Sequence, residues 1–129
     1  MDQLGEVVVI SANSENRRNV AGTLARLEVD AICIPTVEQY REIAGGAKLV
    51  FCDRHLPDGD FRDVLAATAR SAPAKKAPKV VMMASYLNVD SYDQAKRAGI
   101  FEAIPTPCRP TDIEWMLVLA RKQYSDTEM

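Results

Sequence analysis

Hydrophobic positions fall into two alternating patterns along this chain. Val7, Val8, Val9 and Ile10 form an unbroken β-branched run, the mark of a strand covered on both faces. Val20, Leu24 and Leu27 then recur along one helical face, which predicts a helix capped by Ser14. Ile32, Cys33 and Ile34 predict a second strand, stopped by Pro35. Thr36 caps a short helix carrying Val37, Tyr40 and Ile43, which Gly45 and Gly46 end. Leu49 to Cys52 predicts a third strand running straight into Asp53.

The second half repeats the alternation. Pro57, Asp58 and Gly59 mark a turn-rich loop, followed by a helix with Phe61, Val64, Leu65 and Thr68 facing inward. Ser71 to Lys79 holds two prolines and three lysines (Lys75, Lys76, Lys79) and reads as a solvated connector. Val80 to Met83 predicts a fourth strand, and Val89, Tyr92, Ala95 and Ala98, three apart, lie on the next helix, which Gly99 closes. Phe101 to Ile104 predicts a fifth strand, broken by Pro105, Thr106 and Pro107. Thr111 is expected to cap a last helix through about Gln123, with a frayed tail to Met129. Five β-α units in strict alternation imply an α/β fold, a parallel sheet with helices on both faces. Sites in such sheets gather where strands exit at their carboxyl ends: here Ser11 and Ala12, Asp53 to His55, Ala84 and Ser85, and Thr106.

Composition narrows the function. The 129 residues suit one domain, without repeat or linker. Sixteen Lys and Arg against eighteen Asp and Glu give a net charge of -2, so the basic surplus of a nucleic-acid wrapper is missing. The short lysine connector is expected to be a solvated face. No apolar run approaches the ~20 residues that span a bilayer. Met1 to Glu6 carries two acids and no basic stretch, so the expected location is cytoplasmic. Cys33, Cys52 and Cys108 form no C-x-x-C pair and stand beside a single histidine, His55, so reduced thiols used as apolar fillers are expected rather than a zinc site.

Asp53 with the loop Arg54, His55, Leu56, Pro57, Asp58, Gly59 resembles the phosphoacceptor segment of the receiver domain of two-component response regulators. Ala98-Gly99 at the end of the fourth helix, the spacing from Ala84 to Gly99, and Pro107 after the fifth strand extend the resemblance from Val7 to about Gln123. It implies a CheY-like, flavodoxin-like three-layer sandwich, a five-stranded parallel sheet of order 2-1-3-4-5, with Asp53 at the phosphoacceptor position. It also implies a single receiver-like domain over residues 1–129, its core spanning about 6–123.

The rest of the family's phosphorylation set is replaced. The two adjacent acids after the first strand, which help hold a divalent cation in receiver domains, fall on Ser11 and Ala12. The Thr or Ser ending the fourth strand falls on Ala84, with Ser85 one place late. The lysine before the proline falls on Thr106, and the aromatic switch residue on Ala103. Phosphoryl transfer to a carboxylate brings two anionic partners together, so catalysis is positioning and charge neutralisation. Mg2+ wants carboxylate oxygens and water. Asp53 alone should hold it no tighter than about millimolar, so no cofactor is expected. Glu15, read as an acid in a helix's first turn, and Arg109, read as a loop residue, are the nearby groups that could substitute.

The reading is therefore a pseudo-receiver, not an enzyme, acting through protein contacts in phosphorelay signal transduction. The alternative is a working receiver phosphorylated on Asp53 by a histidine kinase. A flavodoxin-like cofactor binder is more remote, since Ser11 to Ser14 lacks glycine. Asp53-x-His55 also resembles a cobalamin-binding motif, but Gly59 comes one place late and the loop follows the wrong strand. Ile113, Met116, Leu117 and Ala120 share one stripe of the last helix, leaving Trp115, Val118 and Leu119 as a candidate interface. The resemblance implies a partner among signalling proteins, a kinase or effector, or a homodimer through the fourth helix, fifth strand and fifth helix.

Overall fold

The computed structural model describes residues 6–43, 46–71 and 77–128. Five parallel strands, β1 (Val7–Ile10), β2 (Ala31–Ile34), β3 (Leu49–Asp53), β6 (Lys79–Ala84) and β7 (Glu102–Pro105), form one sheet in the order β2-β1-β3-β6-β7. This is the 2-1-3-4-5 order of the CheY-like fold once the five sheet strands are counted alone. The helices are α1 (Ser14–Arg26), α2 (Val37–Ile43), α3 (Phe61–Ser71), α4 (Val89–Ala98) and α5 (Pro110–Glu128). A two-stranded antiparallel ribbon, β4 (His55–Leu56) and β5 (Gly59–Asp60), interrupts the connection from β3 to α3.

The continuous apolar runs are explained by burial on both sheet faces. Side chains alternate across a strand. Val8, Ile10, Val50, Cys52, Val80 and Met82 therefore join one core with Val37, Tyr40, Phe61 and Val64. Val7, Val9, Leu49, Phe51, Val81 and Met83 join the other with Val20, Leu24, Ile113 and Met116. Tyr40 is 1% exposed, and its buried hydroxyl is satisfied by a 2.7 Å hydrogen bond shared with Thr68, which ties α2 to α3.

Several local expectations are corrected. Asn13, not Ser14, caps α1: its extended backbone lets the side-chain oxygen accept from Asn16 N at 2.9 Å. The last helix begins at Pro110, a residue suited to a first helical position, so Thr111 lies inside it. That helix also continues past Gln123 to Glu128. On α4 only Ala95 is buried; Val89 and Tyr92 face outward because this helix lies over the β7 edge and meets the core through one small side chain. Asn88 and Ser91 form a reciprocal capping box there, and Gly99 takes the left-handed cap (φ 114°) that favours glycine. Cys33 is exposed on the edge strand β2, whereas Cys52 and Cys108 are buried as expected. Gly45, Lys75 and Lys76 lie outside the described residues.

Candidate functional site: the Asp53 cleft

Strand register builds the site. Ile10 pairs with Cys52 in the parallel β1–β3 ladder, so the next residues, Ser11 and Asp53, leave the sheet side by side. Met83 of β6 pairs with Asp53 from the other side. The turn to α1 folds Ala12 and Asn13 over the carboxylate, and one helical turn later Asn16 reaches back toward it.

The Asp53 carboxylate is closely attended by neutral donors. Oδ2 accepts from Ser11 Oγ at 2.8 Å and from Ala12 N at 3.1 Å. Oδ1 faces Asn16 Nδ2 at 3.4 Å. The same amide nitrogen lies 3.3 Å from Ser11 Oγ and 3.5 Å from Met83 Sδ. Arg17 donates to the Ser11 carbonyl and adds its positive field. Burial pushes the Asp53 carboxyl above the ordinary carboxylate range, and the bonds from Ser11, Ala12 and Asn16 and the charge of Arg17 offset part of that rise.

The remaining strand exits surround an open cleft of about 810 Å³. Ala84, at the end of β6, offers a buried methyl group, and Ser85 follows it on the exposed rim. Thr106 lines the opposite wall, its backbone N donating to Ala84 O at 2.9 Å. His55 is exposed on β4 at the mouth, beside Arg54. Ala103 is buried in β7, with no ring to move. Ser11, Asp53, Ala84 and Thr106 are thus brought together by the fold, and Ala12 joins through its backbone N–H.

The two substitute groups behave differently from each other. Glu15 lines the cleft from the exposed first turn of α1. Arg109 is engaged by Asp112 at 3.2 Å. The cation whose field reaches Asp53 is Arg17, and the residue pressed against its free oxygen is Asn16. Sequence reasoning missed both. The available signal was the buried face of α1, because Asn16 stands four residues before Val20 and so lies one turn nearer the strand ends on that same face.

This donor set does not fit a divalent cation. A hard ion such as Mg2+ takes oxygen ligands, usually one or two carboxylates with water and phosphate completing the shell. Asp53 is the one carboxylate whose oxygens are held among Ser11, Ala12 and Asn16, and no group of three or more His, Cys, Asp or Glu among the described residues could hold a metal.

No family model matches the chain, and no curated protein matches it in sequence. Solved structures do match in fold. The signal receiver domain of an HD domain-containing protein from Pseudomonas fluorescens Pf-5 superposes with a TM-score of 0.80 at 17% identity, over 99% of this chain and 95% of that one. A CheY-like receiver domain protein from Methanospirillum hungatei JF-1 gives 0.77 at 17% identity, over 96% and 99%. The beryllofluoride-activated NtrC4 receiver domain dimer gives 0.75 at 15% identity, over 94% and 97%. The chain therefore has the CheY-like receiver fold, over nearly its whole length.

Large exposed apolar side chains lie on two helices and, as Tyr86, at the rim of the cleft. Val89 and Tyr92 on α4 and Trp115 and Val118 on α5 are 83%, 37%, 57% and 46% exposed. Leu119, beside Val118, is half-buried and packs against the core. Between the helices Glu102 of β7 accepts from the Tyr92 hydroxyl at 2.6 Å and pairs with Lys96 at 3.7 Å. No helix among the described residues is long and apolar enough to cross a membrane.

Proposed function

We propose that this chain is a pseudo-receiver: one receiver-like domain over residues 1–129 that signals by protein contact and does not use Mg2+-dependent phosphorylation of Asp53. The observation that carries the reading is that neutral donors attend Asp53, Ser11 Oγ and Ala12 N on one oxygen and Asn16 at 3.4 Å on the other. Transfer of a phosphoryl group requires positive charge gathered at both the acceptor and the migrating oxygens. Here a methyl group and a hydroxyl (Ala84, Thr106) stand where charge and hydrogen bonding would be needed. We read it as a non-enzymatic cytoplasmic signalling module.

Its output surface is the α4–β7–α5 face, where Tyr92, Trp115 and Val118 supply apolar anchors ringed by Arg97, Asp93, Lys96 and Glu102. The partner is a signalling protein, a kinase or effector, or a second copy of the chain. A titration with beryllofluoride and Mg2+, followed by amide NMR shifts, tests the reading. No saturable shift around Asp53, Ala84 and Thr106 is expected. A saturable shift there, lost in Asp53→Asn, would overturn the reading in favour of the alternative, a working receiver whose phosphodonor would be a histidine kinase.

A further inference from the structure

Asn16 has an unusual arrangement. Its amide nitrogen is shared among three acceptors, Asp53 Oδ1, Ser11 Oγ and Met83 Sδ, at 3.3 to 3.5 Å. Its carbonyl oxygen is buried and has no hydrogen-bond partner. An unmet buried acceptor opposes folding, so the orientation must be compensated. Turning the amide over would set its carbonyl oxygen against the carboxylate, two acceptors facing each other. The amide donors are therefore held toward the acid by the acid itself.

From this we infer that Asn16 is the positioning residue that closes Asp53 to cations: its carboxamide occupies the ground beside Oδ1 that a divalent ion would need, and substitutes a neutral donor for it. The inference rests on the pseudo-receiver reading and supplies its physical cause. Ser11 and Ala12 explain why few anionic ligands are present. Asn16 accounts for the one held at the strand exits, whose Oδ1 it faces at 3.4 Å. The amide also matches the weak demand of a single carboxylate already bonded twice through Oδ2. Two donors shared over long contacts stabilise it without introducing a charge that the half-buried site would have to desolvate.

The same geometry makes the site one atom pair away from a cation site. The Asn16 amide nitrogen and Asp53 Oδ1 are 3.4 Å apart. Neighbouring oxygen ligands of an ion with bonds of ~2.4 Å stand about that far from each other. Asn16→Asp would put a carboxylate oxygen at that spacing, facing Asp53 and Ser11 Oγ. Without an ion the two like charges would repel and raise the acid's titration further. With one they become a paired ligand set.

Mn2+ serves as the probe, its binding read by water proton relaxation on the full chain and the titration of Asp53 by carboxyl carbon NMR. The wild type should bind no tighter than about millimolar. Asn16→Asp should bind at least about tenfold tighter, a gain abolished when Asp53→Asn is added, as expected of paired carboxylate ligands. Asn16→Ala, which keeps the fold under test if the acidic variant is unstable, should move the Asp53 titration upward, because a donor to the charged form is lost. An unchanged Asp53 titration in Asn16→Ala, or Mn2+ affinity unchanged in a folded Asn16→Asp, overturns the inference and leaves the pseudo-receiver reading standing. Micromolar Mn2+ binding by the wild type at Asp53 overturns both.

Discussion

The Ser11 hydroxyl donates to Asp53 Oδ2 at 2.8 Å, the shortest of the carboxylate's bonds. This relation gives the site its character. An acid at that place would repel Asp53 and recruit a cation to reconcile the two. A hydroxyl satisfies it directly. The result is a carboxylate that is chemically quiet within an open cleft.

Asp53 titrates above its unfolded value because burial outweighs the donors around it. The sign follows from linkage. A folded state that holds its proton more tightly is favoured below the unfolded pKa and loses that advantage as pH rises through the folded one. At neutral pH the charged acid is therefore a burden on stability. Asp53→Asn, measured by denaturant unfolding at pH 7, should be as stable as the wild type or more so. A loss of more than about 1 kcal/mol would mean that the charge supports the fold.

Glu6 and Arg121 join the two ends of the described fold through a paired contact at 2.6 and 2.8 Å. The Arg121 guanidinium beside Glu6 holds its carboxyl below the usual range. Stability from this pair is present above the unfolded carboxylate pKa and fades as pH falls through the lower folded one. The pair is partly solvated, so Glu6→Gln should cost only about 0.5–1 kcal/mol at neutral pH, less in high salt. An equal cost at all salt concentrations would contradict an electrostatic origin.

Asp58 ties the loop after β3 to α2, accepting from Val37 N at 2.9 Å and Glu38 N at 3.0 Å. Those bonds hold its carboxyl below the ordinary range. Asp58→Ala should lower the melting temperature at neutral pH, and Asp58→Asn, which keeps an acceptor, should lower it less. Because the folded pKa is depressed, the difference from wild type should shrink as pH falls through it. A difference that persists in acid would assign the effect to something other than the cap.

Much of the fold was legible because the runs at Val7–Ile10, Leu49–Cys52 and Val80–Met83 are buried on both faces, which leaves little ambiguity about strands. The replacements at Ser11, Ala84 and Thr106 were equally visible, since strand exits are fixed once the strands are. The contacts of Asn16 and Arg17 were not legible. They depend on which polar side chains at the first turn of α1 reach across to a neighbouring strand exit, a tertiary contact that periodicity does not encode. The spacing of Val89, Tyr92, Ala95 and Ala98 marked a helix but not its buried face, which at this sheet edge is Ala95 alone among the helix's residues. The β4–β5 ribbon has two-residue strands, too short to show a period.

Trp115 tests the output face. It is 57% exposed, so Trp115→Glu should change monomer stability by no more than about 0.5 kcal/mol. If the α4–β7–α5 face joins two copies, the same change should abolish a concentration-dependent increase in sedimentation coefficient that the wild type shows. A wild-type dimer that survives the substitution would place the interface elsewhere.

The most direct test of the pseudo-receiver is chemical. The full chain is incubated with acetyl phosphate and Mg2+ at neutral pH, and its intact mass is followed with time, with Asp53→Asn alongside. The unmodified mass should persist in both proteins. A phosphoryl adduct that accumulates on the wild type and not on Asp53→Asn would show that this lone carboxylate can be phosphorylated after all.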